Sequence, residues 1–503
     1  MYFPSFSEFA QLSTKGKTIP VYRELQADTL TPVSAFLALD DGKSSFLLES
    51  AAGSEQWGRY SFVGTRPHAI VTIRGEIFTI TLPDGTSCSR ITTDPAAELV
   101  AFLREQQPVV NQDLPRFSGG LVGFLSYDAA RWFETLPEKS KRGEADIEAG
   151  FVLTDLVCIF DSSRQSVKVV AHARLDENDP SAEASYNAAC RRIDDTTERL
   201  FRYSAPAVPI DRPPINTPPC PIQHESLSRA AFCEAVDAAK QYILAGDIIQ
   251  VVLSRRFETP VVPVDPFDVY RMLRTLNPSP YLFFVRLFDY CISGSSPELL
   301  VRLTRDRIEV RPIAGTRKRG TNALDDEKAE HELRNDPKEI AEHVMLLDLG
   351  RNDVGRVSQP GSVRVHDTMV VERYSHVMHL VSGVHGTIIP ELGPADVIRA
   401  TFPAGTLSGA PKVRAMEIIE ELEPVPRGVY GGAVGYIDYS ENIDLCIAIR
   451  SFLYKNGRFA VQAGAGIVAD SIPELECDET EAKATAVLRA IAMAQRLQTK
   501  DKR

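Results

Sequence analysis

The chain has 503 residues, 44% of them hydrophobic, and a formal net charge of −12. That length holds a large core or two to three domains, and an acidic balance without a basic domain argues against a general nucleic-acid binder. The eight cysteines show neither CxxC pairs nor zinc spacing, which fits reduced thiols in the cytoplasm. The opening residues, MYFPSFSEFAQLSTKG, lack a basic leader with an apolar core, and no uncharged apolar run reaches spanning length. A soluble cytoplasmic protein with no membrane and no nucleic-acid partner is expected.

In chain order, a short helical pattern near Ser5–Leu12 precedes β-branched runs broken by Gly, Pro and Asp, from SFLLES to ITLPDG, which read as strands and hairpins. A helix is predicted at about Ala96–Gln106. Gly119–Glu134 reads as a buried strand entering a helix, Phe151–Ile159 and Val167–Ala171 as strands, and Ala182–Phe201 as an amphipathic helix. Seven prolines fall within residues 205–222, which marks a linker or extended surface connection. The expected organisation is an N-terminal region (1–204), this proline-rich boundary (205–222) and a second region (223–503). In the second region helices at Arg229–Ala245 and Pro266–Leu276 alternate with strands such as IIQVVLSRRF, YLFFVRL, YCISGS, GAVGYIDY and RFAVQAGAG. A long helix from about Pro473 to Leu497 closes the chain. Adjacent strands joined by short turns predict largely antiparallel sheets, hence an α+β fold.

The most informative stretch is Arg311–Arg356. A short strand and a cationic loop with Arg311, Arg317, Lys318 and Arg319 lead to a helix with Asp336 as N-cap, Pro337 at the first position and Glu339 at the third. Ile340, Val344 and Leu347 recur at helical spacing and should face the core. Glu339 and Glu342 share a face, as do Glu476 and Glu479 on the last helix. Cations followed by paired carboxylates suit an anionic substrate held through a divalent metal; Mg²⁺ takes only one or two protein carboxylates. The same residues also read as a capping box at Glu339 and a surface Glu479–Lys483 pair. Gly464 and Gly466 in QAGAGIV let backbone approach an anionic ligand, though the third glycine of a dinucleotide fingerprint is missing. FPAGTLSGAPK lacks the Gly-Lys of a phosphate loop, and His379 among apolar neighbours reads by itself as a core histidine.

The strings GDIIQVVLSRRF, NPSPY, GSSPELLVRL, RPIAGTRKRG, AEHVMLLDLGRNDVGR, ERYSHVMHLVSGVHG, FPAGTLSGAPKVRAMEII, RGVYGGAVGYID, CIAIR and QAGAGIVADS carry a resemblance. With FLLES, WGRYSFVG and GGLVGFLSYD they span nearly the whole chain. The sequence resembles the chorismate-utilising enzymes, in their anthranilate synthase component I branch. The resemblance implies two packed, largely antiparallel sheets surrounded by helices. It also implies addition of ammonia to chorismate followed by pyruvate elimination to leave anthranilate, the first committed step of tryptophan biosynthesis.

Matched residue by residue, the resemblance implies Mg²⁺ held by Glu342 and Glu479, with Glu339 and Glu476 behind them through water. It makes Glu298 the general acid for the leaving C4 hydroxyl and His379 the base of the elimination, with Thr406 beside them. Gly315, Thr316 and Gly464–Ala465–Gly466 would line the ring and its carboxylate, while Tyr430 and Arg450 would hold the enolpyruvyl carboxylate. Ser50, Pro280, Tyr281 and Leu282 would form an L-tryptophan feedback site. Relatives that add water place lysine where Gln250 stands, and those forming the 4-amino isomer carry lysine where Ala314 stands, so both positions imply the 2-amino product. The alternatives are 4-amino-4-deoxychorismate synthase component I and a sensor without chemistry. None of the cysteines sits in a GxCxG glutaminase turn. A separate glutamine amidotransferase subunit is therefore expected to supply ammonia, in a heterotetramer of two chains of each kind.

Overall fold

The structure is a computed structural model that describes residues 1–50, 58–137, 147–175, 181–203, 213–320, 322–373 and 377–500, the last three without side-chain detail. Strands buried along most of their length, such as Gly120–Leu125, Tyr290–Ser296 and Ala433–Asp438, build two large sheets. One runs Thr18–Gln26, Ser166–Arg174, Leu156–Asp161, Tyr60–Thr65, Ser45–Glu49, Tyr281–Leu287, Tyr290–Ser296, Ser451–Lys455, Arg458–Ile467, Gln250–Glu258 and His224–Glu225. The other runs Ile313–Lys318, Val377–Thr387, Arg307–Val310, Leu299–Thr304, Ile443–Ile447, Ala433–Asp438, Gly120–Leu125, Ala149–Leu153, Ala69–Arg74, Ile77–Thr81 and Ser87–Ile91. Neighbouring strands pair antiparallel, for example Leu282 opposite Glu49 and Gly464 opposite Ser254. The α+β architecture expected from the sequence is the one observed.

The sheets face each other across a core in which Phe46, Phe283 and Ile292 of the first meet Val122, Phe124 and Tyr436 of the second. Removing such side chains from water is the main stabilising term, at about 25 cal/mol per Å² of apolar surface. Helices cover the outer faces. Ala182–Arg202 and Pro266–Leu276 bury Ala189, Ile193 and Tyr270 against the first sheet. Pro95–Glu105 and Pro394–Thr401 bury Leu99, Val397 and Ile398 against the second.

Both sequence regions contribute strands to both sheets, so residues 1–203 and 213–500 do not form separate layers. The described part of the proline-rich stretch is mostly exposed and is anchored by the buried Pro213, Thr217 and Cys220, the Cys220 amide donating to the Leu488 carbonyl of the last helix. The segment after Gly120–Leu125 closes as a 3₁₀ turn, Tyr127–Trp132, not as an α-helix. The Pro337–Gly355 helix begins as predicted, with Asp336 accepting from the Lys338 and Glu339 amides. Leu347 packs partly buried against the core as expected, but Val344 is 42% exposed while His343 and Leu346 are buried. His343 faces inward in its place, with Nε2 2.7 Å from the buried Ser382 hydroxyl.

Candidate active site

Four segments converge on one end of the sandwich. The Leu299–Thr304 strand begins just after Glu298, a side chain only 8% exposed. A short 3₁₀ turn, Gly405–Leu407, brings the Thr406 hydroxyl to donate to Glu298 Oε1 at 2.7 Å. Burial pushes the Glu298 carboxyl up to about 7, against the hydrogen bond from Thr406 and the positive field of Lys483. A carboxyl with that value is substantially protonated at neutral pH, which is what a general acid requires.

On the Ile313–Lys318 strand, a register shift between Ala314 and Thr316 places Gly315 at φ 67°. An added Cβ there would lie 3.0 Å from Glu339 Oε2, so the backbone turn and the close carboxylate both call for glycine. The Gly315 carbonyl lies 2.8 Å from His379 Nδ1, and the Thr316 hydroxyl 3.1 Å from the same nitrogen. A carbonyl only accepts, so Nδ1 carries the proton and Nε2 is the basic nitrogen. Burial lowers the His379 pKa, opposed by the Gly315 hydrogen bond and reinforced by Arg450. The ring is therefore neutral at physiological pH and able to accept a proton.

The third segment is the Gly464–Gly466 part of the Arg458–Ile467 strand. A Cβ on Gly464 would sit 2.7 Å from the Tyr430 hydroxyl, and one on Gly466 2.6 Å from Gln250 Nε2. Tyr430 and Gln250 thus press directly on the two glycines. Burial raises the Tyr430 pKa, so its hydroxyl stays a donor. Arg450 reaches the same area. Its guanidinium has no hydrogen-bond or ion-pair partner among the described residues, and burial lowers its pKa while Tyr430 and Glu479 oppose that shift. A half-buried cation without a partner among the described residues is poised for an anionic ligand.

The fourth element is the pair of helices Pro337–Gly355 and Pro473–Lys500. Burial raises the Glu342 pKa, and the negative fields of Glu339 and Glu479 add to it. Burial also raises Glu476, with Glu479 adding to it and a hydrogen bond from Ser471 opposing. The four predicted carboxylates therefore feel one another across the two helices. The predicted capping box is not formed; Glu339 Oε1 instead accepts from Arg317 at 2.8 Å. The three arginines of the cationic loop are committed to the protein rather than to a ligand, with Arg317 also on Asp336, Arg319 on Asp326 and Arg311 on Glu372. The Glu479–Lys483 pair is present at 2.6 Å.

Among the described residues no set of three or more His, Cys, Asp and Glu side chains is arranged to hold a metal. Two hard carboxylates, Glu342 and Glu479, with the negative field of Glu479 acting on Glu342, do fit a Mg²⁺ ion, which keeps most of its own waters.

Lys483 is the site residue that sequence reasoning undervalued. Its ammonium lies 2.6 Å from Glu479 and 2.8 Å from the Gly464 carbonyl, and its field acts on Glu298, Glu342 and Glu476. The spacing from Glu479 was visible, but only as a surface pair.

Ser50 and Pro280–Leu282 lie together elsewhere, where the Ser45–Glu49 and Tyr281–Leu287 strands pair. The Ser50 hydroxyl is buried without a hydrogen-bond partner among the described residues. The Tyr281 hydroxyl donates to Asp444 at 3.0 Å and accepts from Arg302 at 2.9 Å, whereas Leu282 is a core residue, 1% exposed.

The family model described as chorismate binding enzyme matches residues 43–489. The chain belongs to the chorismate-binding enzymes. Within that family it is 45% identical to anthranilate synthase component 1 of Pseudomonas aeruginosa, over 97% of this chain and 98% of the relative. It is 44% identical to the protein of the same name from Aquifex aeolicus, over 98% and 99%. Among solved structures, anthranilate synthase component I of Streptococcus pneumoniae superposes with a TM-score of 0.75 at 35% identity, covering 93% of this chain and 99% of that one. These matches place the chain among the anthranilate synthase component 1 proteins. No helix of the described residues is long and apolar enough to cross a membrane.

Proposed function

We propose that this chain is an anthranilate synthase component that converts chorismate and ammonia to anthranilate and pyruvate in tryptophan biosynthesis. The observation that carries the reading is Glu298: a buried carboxyl, held at about 7 and oriented by Thr406, that can deliver a proton to a departing hydroxyl. Arg450 and Tyr430 bind the enolpyruvyl carboxylate, Arg450 by a two-pronged ion pair. Gly315, Thr316 and the Gly464–Ala465–Gly466 backbone line the ring. Neutral His379 takes the C2 proton at Nε2 as the enolpyruvyl group leaves. Each positioned acid or base of this kind contributes roughly 10²–10⁴-fold to the rate.

Glu342 and Glu479 would hold Mg²⁺, with Glu339 and Glu476 behind them. When bound, the ion supplies positive charge for the ring carboxylate. Gln250 and Ala314 favour the 2-amino product, since neither provides the lysine used to activate water or to attack the ring. Ammonia would come from a glutamine amidotransferase subunit, in a cytoplasmic heterotetramer. L-Tryptophan would bind at Ser50, Pro280 and Tyr281; the unpartnered Ser50 hydroxyl supports this, and Leu282 would contribute through its backbone alone.

The test is an assay of the purified chain with chorismate, Mg²⁺ and an ammonium salt, with chromatographic identification of product. Anthranilate plus pyruvate, lost on chelating the metal, is expected. Formation of 4-amino-4-deoxychorismate would overturn the reading of Ala314, and isochorismate that of Gln250. Chorismate binding without turnover would leave a sensor.

A further inference from the structure

Behind Tyr430 lies a second cavity of about 330 Å³, to which the reaction above gives no role. The Gln250–Glu258 and Arg458–Ile467 strands run side by side, with Ser254 opposite Gly464, Arg256 opposite Gln462 and Glu258 opposite Ala460. Side chains alternate along a strand, so the face that carries Ser254 and Gly464 in the site continues through Arg256 and Gln462 into this cavity. Tyr430 belongs to both: its hydroxyl presses on Gly464, and the residue also forms part of the cavity wall. Gln462 completes the partition, donating through Nε2 to Ser254 at 2.8 Å and accepting from Arg256 Nε at 3.3 Å.

The cavity is strongly cationic for a chain of net charge −12. Arg256, Arg427, Lys455 and Arg458 line it against one carboxylate, Glu258. Arg427 is neutralised by Glu423 at 2.6 Å. The other three have only uncharged partners among the described residues: Arg256 holds the Pro426 carbonyl and Gln462, Lys455 the Tyr290 hydroxyl, and Arg458 the Gln223 amide oxygen at 2.9 Å. Val429, Leu453 and Phe459 supply an apolar wall. Cations beside an apolar surface, in a space too large for a three-carbon acid, suit a carboxylate carried on a ring-sized apolar body.

We propose that this cavity is a separate binding site for a small cyclic carboxylate of the size of the substrate or its aromatic product. Only the identity of that ligand's source rests on the lyase reading. The anion's carboxylate pairs with Arg256 and the Lys455–Arg458 edge, while its ring lies on Leu453 and Val429, with Tyr430 closing it off from the site.

The test is titration of the full-length chain with 2-aminobenzoate, followed by the ligand's own fluorescence. The wild type is compared with Lys455→Gln/Arg458→Gln, with Ala460→Trp, which fills the cavity without removing a charge, and with Arg450→Gln, which disables the catalytic side. Thermal unfolding checks that each variant is folded. Arg450→Gln should retain a binding site, and adding Lys455→Gln/Arg458→Gln or Ala460→Trp to Arg450→Gln should weaken that remaining binding at least about tenfold, as loss of charged hydrogen-bond partners or of space requires. Ammonium-dependent kcat of the double variant should equal that of the wild type. Inorganic phosphate should fail to displace the ligand, and pyruvate should do so only at far higher concentration. Loss of all binding in Arg450→Gln, with wild-type binding in the double variant and in Ala460→Trp, would overturn the proposal. Displacement by phosphate as effective as by 2-aminobenzoate itself would also overturn it. Failure of the chain to make anthranilate, with this binding pattern intact, would defeat the lyase reading and leave the cavity site standing.

Discussion

Arg427 and Arg450 approach the same tyrosine from two sides, and they have opposite surroundings. Arg427 donates twice to Glu423, once each to the Leu407 and Val252 carbonyls, and lies over the rings of Tyr127 and Tyr430. Arg450, close enough for Tyr430 to influence its charge, has no such partner among the described residues. The carboxylates divide the same way. Glu423 is fully engaged by Arg427 and Ser254, whereas burial and like charge leave Glu298 and Glu342 with raised proton affinity. A buried ion that the protein satisfies is part of the frame; one that it leaves unsatisfied is waiting for something from outside.

Substitutions on the two sides of this divide should fail differently. Glu298→Gln should lower kcat by about 10²–10⁴-fold with the fold intact, read by steady-state kinetics beside circular dichroism. Arg427→Met should instead strip Glu423 of its cation and cost about 3–5 kcal/mol of stability, measured by denaturant unfolding. If Arg427→Met unfolded like the wild type, the frame-versus-site distinction would collapse.

The same Glu298 carboxyl gives a pH signature. Its folded-state value of about 7 lies above the ordinary 4.5, so the native state binds this proton more tightly than the unfolded chain. The contribution is whole below about 4.5 and is lost as pH rises through about 7, an effect of up to about 3 kcal/mol. At pH 8 Glu298→Gln should therefore be more stable than the wild type, and at pH 4 nearly equal to it. Equal stability at both values would show that the carboxyl is not perturbed. In the active enzyme, turnover should fall as pH rises through this range, because the acid loses its proton.

Arg450→Gln should reduce kcat/KM for chorismate by about 10- to 100-fold while leaving stability unchanged or slightly raised, since an unpaired half-buried cation is removed. The smallest effect on turnover belongs to Ser50→Phe, which should keep ammonium-dependent activity while escaping inhibition by tryptophan. Inhibition unchanged in that variant would remove Ser50 from the proposed feedback site.

Local patterns were readable along the chain. Asp336 caps its helix and Pro337 starts it, and Gly246 ends the Arg229–Ala245 helix in the left-handed conformation. The strands are visible through β-branched runs broken by Gly, Pro and Asp, and contiguous motifs point to Glu298, Glu342, Glu479, His379 and Arg450. The inward face of the Pro337–Gly355 helix was not readable in full, because a rotation of about 100°, the step between adjacent helical residues, decides between Val344 and His343. Nor was the fate of Arg311, Arg317 and Arg319, whose carboxylate partners lie on other elements of the fold.

By itself the sequence determined the family, the antiparallel α+β framework and the candidate site residues, because these follow from local periodicity and from motifs contiguous in the chain. Tertiary structure decided which charges are spent on one another and which remain for a ligand. It set Lys483 among Glu479, Gly464, Glu298 and Glu342, left Arg450 unpaired beside a fully paired Arg427, and opened a cationic cavity behind Tyr430. Pairing and burial depend on distances between segments far apart in the chain, and those distances exist only once the two sheets have closed on each other.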